Sequence, residues 1–249
     1  MKALSRLLVL VLLAGLALQL YFVGRIALMA VLNPESSAFQ RSEAYLIAKN
    51  TGALKWRQQW MSYAELSDNL KRAVIASEDA SFTLHDGVDI EALEKAWEKN
   101  ARAEQRAAQS GSRLAATQAK AAPVKASKII GGSTITQQLA KNLFLSGERT
   151  LLRKGQELVL TLLLEALLDK ERILELYLNN VEWGEGVFGA EAAAQHYFRK
   201  PAARLSASEA ARLAVMLPRP RYFETRLNSG YLASRASTIV ARMGAVDLP

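Results

Sequence analysis

The most chemically informative segment begins at two glycines, Gly131 and Gly132, and continues with hydroxyl, amide and ammonium side chains. Ser133 or Thr134 can cap a helix start, and Gln137 lies three residues after Thr134, as in a capping box. At helical spacing the polar side chains share one face, which consists of Thr134, Gln137, Gln138 and Lys141. This face could hold a polar ligand, although a solvated amphipathic helix has the same pattern.

A second candidate group is the acidic pair Glu78 and Asp79, at the predicted C-terminus of a helix. The helix dipole disfavours a negative charge there, and partial burial would add to the effect. Both would raise a carboxylate's pKa towards that of a useful general base. Phe82, His85 and Gly87 follow, and a lone histidine more often packs and hydrogen-bonds than catalyses. A solvated helix end would explain the acids without a function.

A third candidate group, Arg153, Lys154 and Glu157, places two cations beside one carboxylate on a single helix face. The cations could bind phosphate oxygens, and Glu157 could bind a divalent ion. A surface ion-pair cluster has the same spacing. The residues alone therefore leave both interpretations open.

The N-terminal segment is long and apolar enough to cross a hydrocarbon layer of roughly 30 Å. From Leu7 to Gly24 only Gln19 interrupts it, and residues 26–32 extend it past Arg25. Cations precede this run and none follows directly, so the positive-inside rule places the N-terminus in the cytoplasm. A cleaved signal peptide is the alternative. The run is longer than a usual signal-peptide core and lacks a clear cleavage site, so we predict a retained anchor.

Composition and charge limit the classes of function. The chain has 249 residues, of which 50% are hydrophobic, enough for a buried core in one or two domains. It has no cysteine, which excludes disulfides and thiolate metal sites. The formal net charge of +8 favours an anionic partner, such as a nucleic acid, a phospholipid or a phosphorylated substrate.

Helical spacing predominates after the anchor and predicts a mainly α fold. We predict a cytoplasmic tip and anchor over 1–36 and one further domain over 37–249. The predicted helices run from the capping box Ser62–Glu65 to Glu78, onward from the cap Asp89, from the cap Thr150 to about Leu168, and over 172–178.

Two segments depart from this pattern. The 40–60 region, with Tyr45 and Trp56, is predicted to supply one or two short strands. In 101–127, small, amide and basic residues dominate and large apolar residues nearly vanish, so we predict a mobile insertion. Its cations could reach anionic lipid headgroups, although a solvated tether would explain them equally well.

In their order along the chain, these segments resemble the motifs of the family 51 peptidoglycan glycosyltransferases, in particular its monofunctional branch. The resemblance covers about residues 44–222 and implies a lysozyme-like fold in two lobes, preceded by one transmembrane helix. The matching segments are Glu78-Asp79-x-x-Phe82-x-x-His85-x-Gly87, Gly132-Ser133-Thr134-Ile135-Thr136-Gln137-Gln138-x-x-Lys141-Asn142, Arg153-Lys154-x-x-Glu157 and Ile173-Leu174-Glu175-x-Tyr177-Leu178-Asn179.

The resemblance implies that the enzyme polymerises lipid II into β-1,4 glycan with inversion and releases undecaprenyl pyrophosphate. It assigns Glu78 as the general base and Glu157 as a second catalytic residue that could hold Mg²⁺ or Mn²⁺, an ion that would aid the reaction without being essential to it. The implied substrate-binding residues are Asp79, Ser133, Thr134, Gln137, Gln138, Lys141, Arg153 and Lys154. Structural roles are expected for Phe82, His85, Gly87, Glu175, Tyr177 and Asn179.

The resemblance also implies a location in the bacterial inner membrane, with the catalytic domain in the periplasm. The expected partners are lipid II, the growing glycan strand, the membrane and other cell-wall synthases, and no nucleic acid. No Ser-x-x-Lys or Lys-Thr-Gly motif occurs, so we expect no penicillin-binding transpeptidase module.

Two alternatives come from other classes of protein. A lytic transglycosylase or lysozyme-like enzyme would share the fold and the glutamate, but it would have no use for a phosphate cluster. A membrane-anchored scaffold would leave the polar faces without a purpose.

Overall fold

The computed structural model describes residues 2–116, 132–145 and 150–249, which are mostly helical. The helices are α1 (Lys2–Met29), α2 (Ala38–Thr51), α3 (Asp68–Glu78), α4 (Ile90–Ala116), α5 (Ile135–Phe144), α6 (Leu151–Leu167), α7 (Lys170–Asn180), α8 (Ala190–Phe198), α9 (Ala207–Met216), α10 (Pro220–Glu224) and α11 (Gly230–Met243). Single 3-10 turns lie at Tyr63–Glu65, Phe82–Leu84 and Ala202–Arg204. Strands β1 (Glu182–Gly184) and β2 (Val187–Phe188) pair antiparallel, with Glu182 opposite Phe188.

The helices pack in two groups. In the first, α3, α9 and α11 contact one another, and in the second, α5 contacts α2, α6 and α7. Helix α7 also contacts the turn Tyr63–Glu65 that leads into α3, so it links the groups. One apolar core runs through both and includes Leu70 of α3 and Tyr177 of α7. The predicted mainly α, two-lobed architecture is confirmed.

Helix caps explain where most of these elements begin. The side chains of Thr134 and Thr150 accept from the backbone N–H three residues on, and Thr134 forms the predicted capping box with Gln137. Asp89 Oδ1 accepts from Ala92 N at 2.7 Å at the start of α4. These contacts satisfy N–H groups that lack a partner in the first helical turn.

Two predicted elements differ from the structure. The capping box at Ser62 caps only the 3-10 turn, because Leu66 is extended and buries its side chain, and α3 starts at Asp68. The strand prediction for 40–51 is wrong, since this segment is helix α2. The overlooked signal was a second capping box, formed by Ser37 and Gln40. In the rest of that region, Arg57 makes a single bridge to Val187.

The predicted insertion is only partly described. Residues 101–116 continue α4 and are therefore helical, whereas 117–127 lie outside the described residues. The mobility of this segment stays a prediction.

Helix α1 is the one helix among the described residues that is long and apolar enough to cross a membrane, with a mean hydropathy of 2.4 in its most apolar part. Most of it is exposed, but Phe22, Ile26 and Met29 are buried against the rest of the protein. This fits the predicted single-pass anchor.

Candidate active site

The acidic pair lies where the end of α3 meets the start of α5. Glu78 is the last residue of α3, and Asp79 is its C-cap. Asp79 Oδ2 accepts from Ile135 N at 3.0 Å, and Oδ1 accepts from His85 Nε2 at 2.9 Å. His85 Nδ1 accepts from Gly87 N at 3.1 Å, which assigns the ring proton to Nε2. Asp79, predicted to bind substrate, thus has both oxygens engaged within the protein, and its contact with substrate stays a prediction.

Gly87 is the point where the loop after α3 approaches two helices. Its φ of +84° is unfavourable for other residues, and a Cβ there would lie 2.7 Å from Thr161 Cγ2. Thr134 Oγ1 donates to Gly87 O at 2.6 Å. The Thr134 hydroxyl therefore both caps α5 and holds this loop.

Two consecutive hydrogen bonds from neutral side chains hold Glu78 in place. Gln138 Nε2 donates to Glu78 Oε2 at 3.0 Å, and Tyr177 OH donates to Gln138 Oε1 at 3.0 Å. Burial raises the pKa of the Glu78 carboxyl above its ordinary value, and the bond from Gln138 partly opposes this. A carboxylate with a raised pKa is a better proton acceptor than a solvated one.

Glu78 opens into a cavity of about 370 Å³, which we call the base cavity. Its lining includes Asp89 and three cations, Lys95, Lys99 and Arg242. Ser133 also lines it, directly before the cap of α5.

A second cavity of about 340 Å³, which we call the cation cavity, lies on the other side of the start of α5. Ser133 lines both cavities. The lining contains most of the predicted substrate-binding residues, namely Ser133, Gln137, Gln138, Lys141, Arg153 and Lys154, together with Glu157. The structure thus brings together side chains from α5 and α6 that the sequence only suggested.

The cluster on α6 is not a solvated surface pair. Arg153 Nη1 donates to Glu157 Oε2 at 3.0 Å, and Lys154 pairs with Glu157 Oε1. The Glu157 side chain is only 5% exposed, whereas Lys154 remains 53% exposed towards the cavity. Burial lowers the pKa of Lys141, although the Glu157 carboxylate opposes this. One buried carboxylate therefore orients two cations while a third lies nearby.

The Arg153 guanidinium keeps a buried donor free. Within the described part of the chain, its buried Nε has no hydrogen-bond partner. Because unpaired buried donors are costly, this atom is suited to an additional anionic acceptor.

The residues at the site do not form a divalent-cation site on their own. Both oxygens of Glu157 are paired with cations, and Glu157 is the one carboxylate among the described residues of the cation cavity. Mg²⁺ would need substrate phosphate oxygens for its remaining ligands. The ligand atoms of Asp79, His85 and Asp89 lie within 4.8 Å of one another, but each is engaged in hydrogen bonds. The predicted metal role of Glu157 stays untested.

Other predicted structural residues hold the two lobes together. Glu175 accepts from Trp60 Nε1 at 3.1 Å and from Tyr63 N at 2.8 Å. Asn179 pairs with both backbone groups of Met61, at 2.9 and 2.8 Å. These contacts fix the segment before α3 against α7.

Sequence reasoning missed a network beneath the site. Glu165 Oε1 accepts from Thr136 Oγ1 at 2.6 Å and from Lys170 Nζ at 2.9 Å, and Lys170 also donates to His85 O at 2.6 Å. The ammonium lies 4.6 Å from the centre of the buried Phe82 ring. The signal in the sequence was Glu165, an acid within the apolar stretch of α6.

Comparison with known proteins identifies the family of the chain. A family model described as transglycosylase matches residues 46–244. A biosynthetic peptidoglycan transglycosylase from Burkholderia thailandensis is 54% identical over 236 residues, which make up 95% of this chain and 84% of the relative. Proteins of the same name from Burkholderia orbicola and Burkholderia multivorans are each 50% identical, over 95% of this chain and 87% of the relative. The resemblance inferred from the motifs is confirmed, and the chain belongs to the transglycosylase family, a family of glycosyltransferases.

Proposed function

We propose that this enzyme polymerises lipid II into β-1,4-linked glycan strands with inversion and releases undecaprenyl pyrophosphate. The observation that carries the proposal is the pair of adjoining cavities, one with a half-buried carboxylate of raised pKa and the other with a cluster of cations. The relatives are named for the biosynthesis of peptidoglycan, which supports the same substrate class.

On the attacking side, Glu78 removes the proton from the acceptor sugar's 4-hydroxyl. The base cavity opens at this carboxylate, and Gln138 leaves one of its oxygens, Oε1, available for the proton. The acceptor oxygen then bonds to the donor's anomeric carbon as the bond from that carbon to the pyrophosphate oxygen breaks. One direct displacement inverts the anomeric centre and needs no covalent intermediate.

On the leaving side, negative charge grows on the pyrophosphate oxygens. Lys141, Arg153 and Lys154 line the cavity that would receive them, and the free Arg153 Nε offers a further donor. Because Glu157 holds two of these cations in place, little reorganisation is needed as the charge develops. Mg²⁺ or Mn²⁺, held by Glu157 and the phosphates, would add charge neutralisation when bound.

The anchor also supports a proposal for where the enzyme is located in the cell. The cations Lys2 and Arg6 precede the apolar run, so we place the N-terminus in the cytoplasm and the domain on the periplasmic side of the bacterial inner membrane. The enzyme and its lipid-linked substrates then share one membrane, where other cell-wall synthases would also be met.

The direct test is to incubate the full chain in lipid vesicles with labelled lipid II and to separate the products by length. We expect labelled polymer that a muramidase digests, and none from Glu78→Gln. Soluble sugar released from preformed glycan would instead indicate a lytic enzyme. Absence of both products from the folded protein would support a scaffold and reject the proposal.

A further inference from the structure

The anchor lies against the catalytic domain along one face. Phe22, Ile26 and Met29 are buried, and Gln19 extends the same face by one turn, because the spacings are three, four and three residues. Phe22 packs edge-on against Phe144 at the end of α5, with ring centroids 5.4 Å apart. The anchor is therefore more than a tether.

Arg172 of α7 fixes the outer end of the anchor. Its Nε donates to Met29 O at 2.7 Å, and Nη2 donates to Leu32 O at 3.0 Å and Asn33 Oδ1 at 2.8 Å. The first contact satisfies the free carbonyl of Met29 at the C-terminus of α1, and the other two hold the segment that follows the helix.

Deeper along the anchor, Gln19 and Gln156 of α6 form a reciprocal amide pair. Gln19 Nε2 donates to Gln156 Oε1 at 3.0 Å, and Gln156 Nε2 donates to Gln19 Oε1 at 3.3 Å. Residues 19 to 29 of a helix span about 15 Å. The pair therefore lies about 15 Å along the anchor from the Arg172 contacts. Both side chains are partly buried, and each amide supplies the other with a donor and an acceptor.

Gln156 belongs to the helix that carries the cation cluster. It follows Arg153 by three positions and precedes Glu157 by one, so it points about 100° away from Glu157 around the helix. Gln156 therefore contacts the anchor, while Arg153 and Glu157 line the cation cavity. Helix α5, which supplies Lys141, meets the anchor through Phe144. The anchor thus supports both helices of the cation cavity from behind.

We propose that the Gln19–Gln156 pair is a positioning device that fixes the axial register of the anchor on α6. It thereby sets the depth of the cation cavity relative to the membrane surface, where the pyrophosphate of a lipid-linked donor lies. This role rests on the proposed function. Apolar contacts alone would leave the register weakly specified, because lipid chains solvate an apolar helix face as well as other side chains do. A pair of amides is satisfied in only one register.

The first experiment tests the register without using activity. The chain has no cysteine, so Phe22→Cys with Phe144→Cys, which keeps both glutamines, can be treated with a short bifunctional maleimide in the full chain in vesicles. The matched comparison is the same cysteine pair combined with Gln19→Leu and Gln156→Leu. We expect crosslinking to fall roughly tenfold when the glutamines are replaced, because an apolar helix face in lipid specifies its register weakly. Equal crosslinking with and without the glutamines, or none with them, would overturn the role of the pair in fixing the register.

The second experiment tests positioning. In Gln19→Leu with Gln156→Leu, no amide is left unpaired and the apolar contact is kept. In vesicles we expect turnover of lipid-linked substrate to fall roughly tenfold, since a small misplacement of reacting groups is costly. In detergent micelles, where no bilayer surface sets a depth, the variant should match the parent. Crosslinking the Phe22→Cys and Phe144→Cys pair within this leucine variant should raise the variant's turnover in vesicles.

Parent-like turnover of the leucine variant in vesicles would overturn the positioning role, and so would an equal loss in vesicles and in micelles. A parent enzyme without polymerase activity would reject the proposed function, whereas the crosslinking result would still decide the register.

Discussion

The base cavity and the cation cavity hold their carboxylates in opposite ways. Glu78 accepts from the neutral amide of Gln138, and within the described ranges it forms no ion pair. Glu157 is almost fully buried and pairs with two cations. The same residue type is therefore prepared for two tasks: burial without a cation raises proton affinity, whereas ion pairing holds a fixed charge. The partners of each acid, rather than its identity, divide the chemistry between the two cavities.

The substitution Glu78→Gln should have the largest effect, because it tests whether Glu78 is the base. The amide is nearly isosteric but cannot accept a proton, so we expect turnover to fall at least about a hundredfold. Because the pKa of Glu78 is raised in the folded state, its ionised form lowers stability above the unfolded pKa of about 4.3. The variant should therefore melt at the same or a higher temperature at neutral pH. Parent-like turnover in the folded variant would show that Glu78 is not the base.

Lys154→Ala tests the other cavity. If Lys154 stabilises the leaving group, turnover should fall by about two orders of magnitude while the free energy of unfolding changes by less than about 1 kcal/mol. The matched control is Lys55→Ala, because Lys55 is also 53% exposed and paired with a glutamate. Turnover and thermal melting should be measured together. If the two substitutions change turnover equally, the α6 cluster has no role in catalysis beyond that of a surface ion pair.

A smaller effect is expected from Gln138→Leu, which removes the donor to Glu78 and leaves the hydroxyl of Tyr177 without its acceptor. The bond from Gln138 lowers the pKa of Glu78, so its loss raises that pKa further. The acid limb of the pH profile should then move to higher pH, with a loss of turnover of roughly tenfold. A limb that moves to lower pH, or stays in place, would contradict this positioning of the base.

The smallest effect concerns the metal. Because Glu157 is already neutralised by Arg153 and Lys154, we expect a chelator to lower the parent's turnover only about twofold. Glu157→Gln should lower turnover more than chelation does, since it frees both cations. A different result would show that the carboxylate is a metal ligand. In that case chelation removes the parent's activity, Mg²⁺ or Mn²⁺ restores it, and the activity of Glu157→Gln responds to neither.

Local patterns predicted the elements that carry the site. The caps Asp89, Thr134 and Thr150 depend on contacts within three residues, and each forms where the sequence placed it. The split of α5 into a polar and an apolar face also follows from spacing alone. Helix α2 was missed because its capping box at Ser37 was overlooked and its aromatic residues suggested a strand.

Contacts between distant positions could not be predicted in this way. Gln138 meets Glu78 across 60 positions and Tyr177 across 39. Glu165 reaches Thr136 across 29 positions, and nothing local to either residue indicates the other. Such pairings depend on how the lobes pack, which single-sequence periodicity does not encode. The motifs thus named the chemical groups, and the structure supplied their partners.

The division of labour between the two cavities is tested most directly by one measurement, the pH dependence of kcat on labelled lipid II for the parent, Glu78→Gln and Lys154→Ala. The parent's rate should rise with pH through a pKa above the ordinary value for glutamate, because the base must be ionised. Lys154→Ala should keep this limb at a lower plateau, and Glu78→Gln should lose it together with the rate. An acid limb that persists unchanged in Glu78→Gln, or disappears in Lys154→Ala, would contradict the assignment of base and cation cluster.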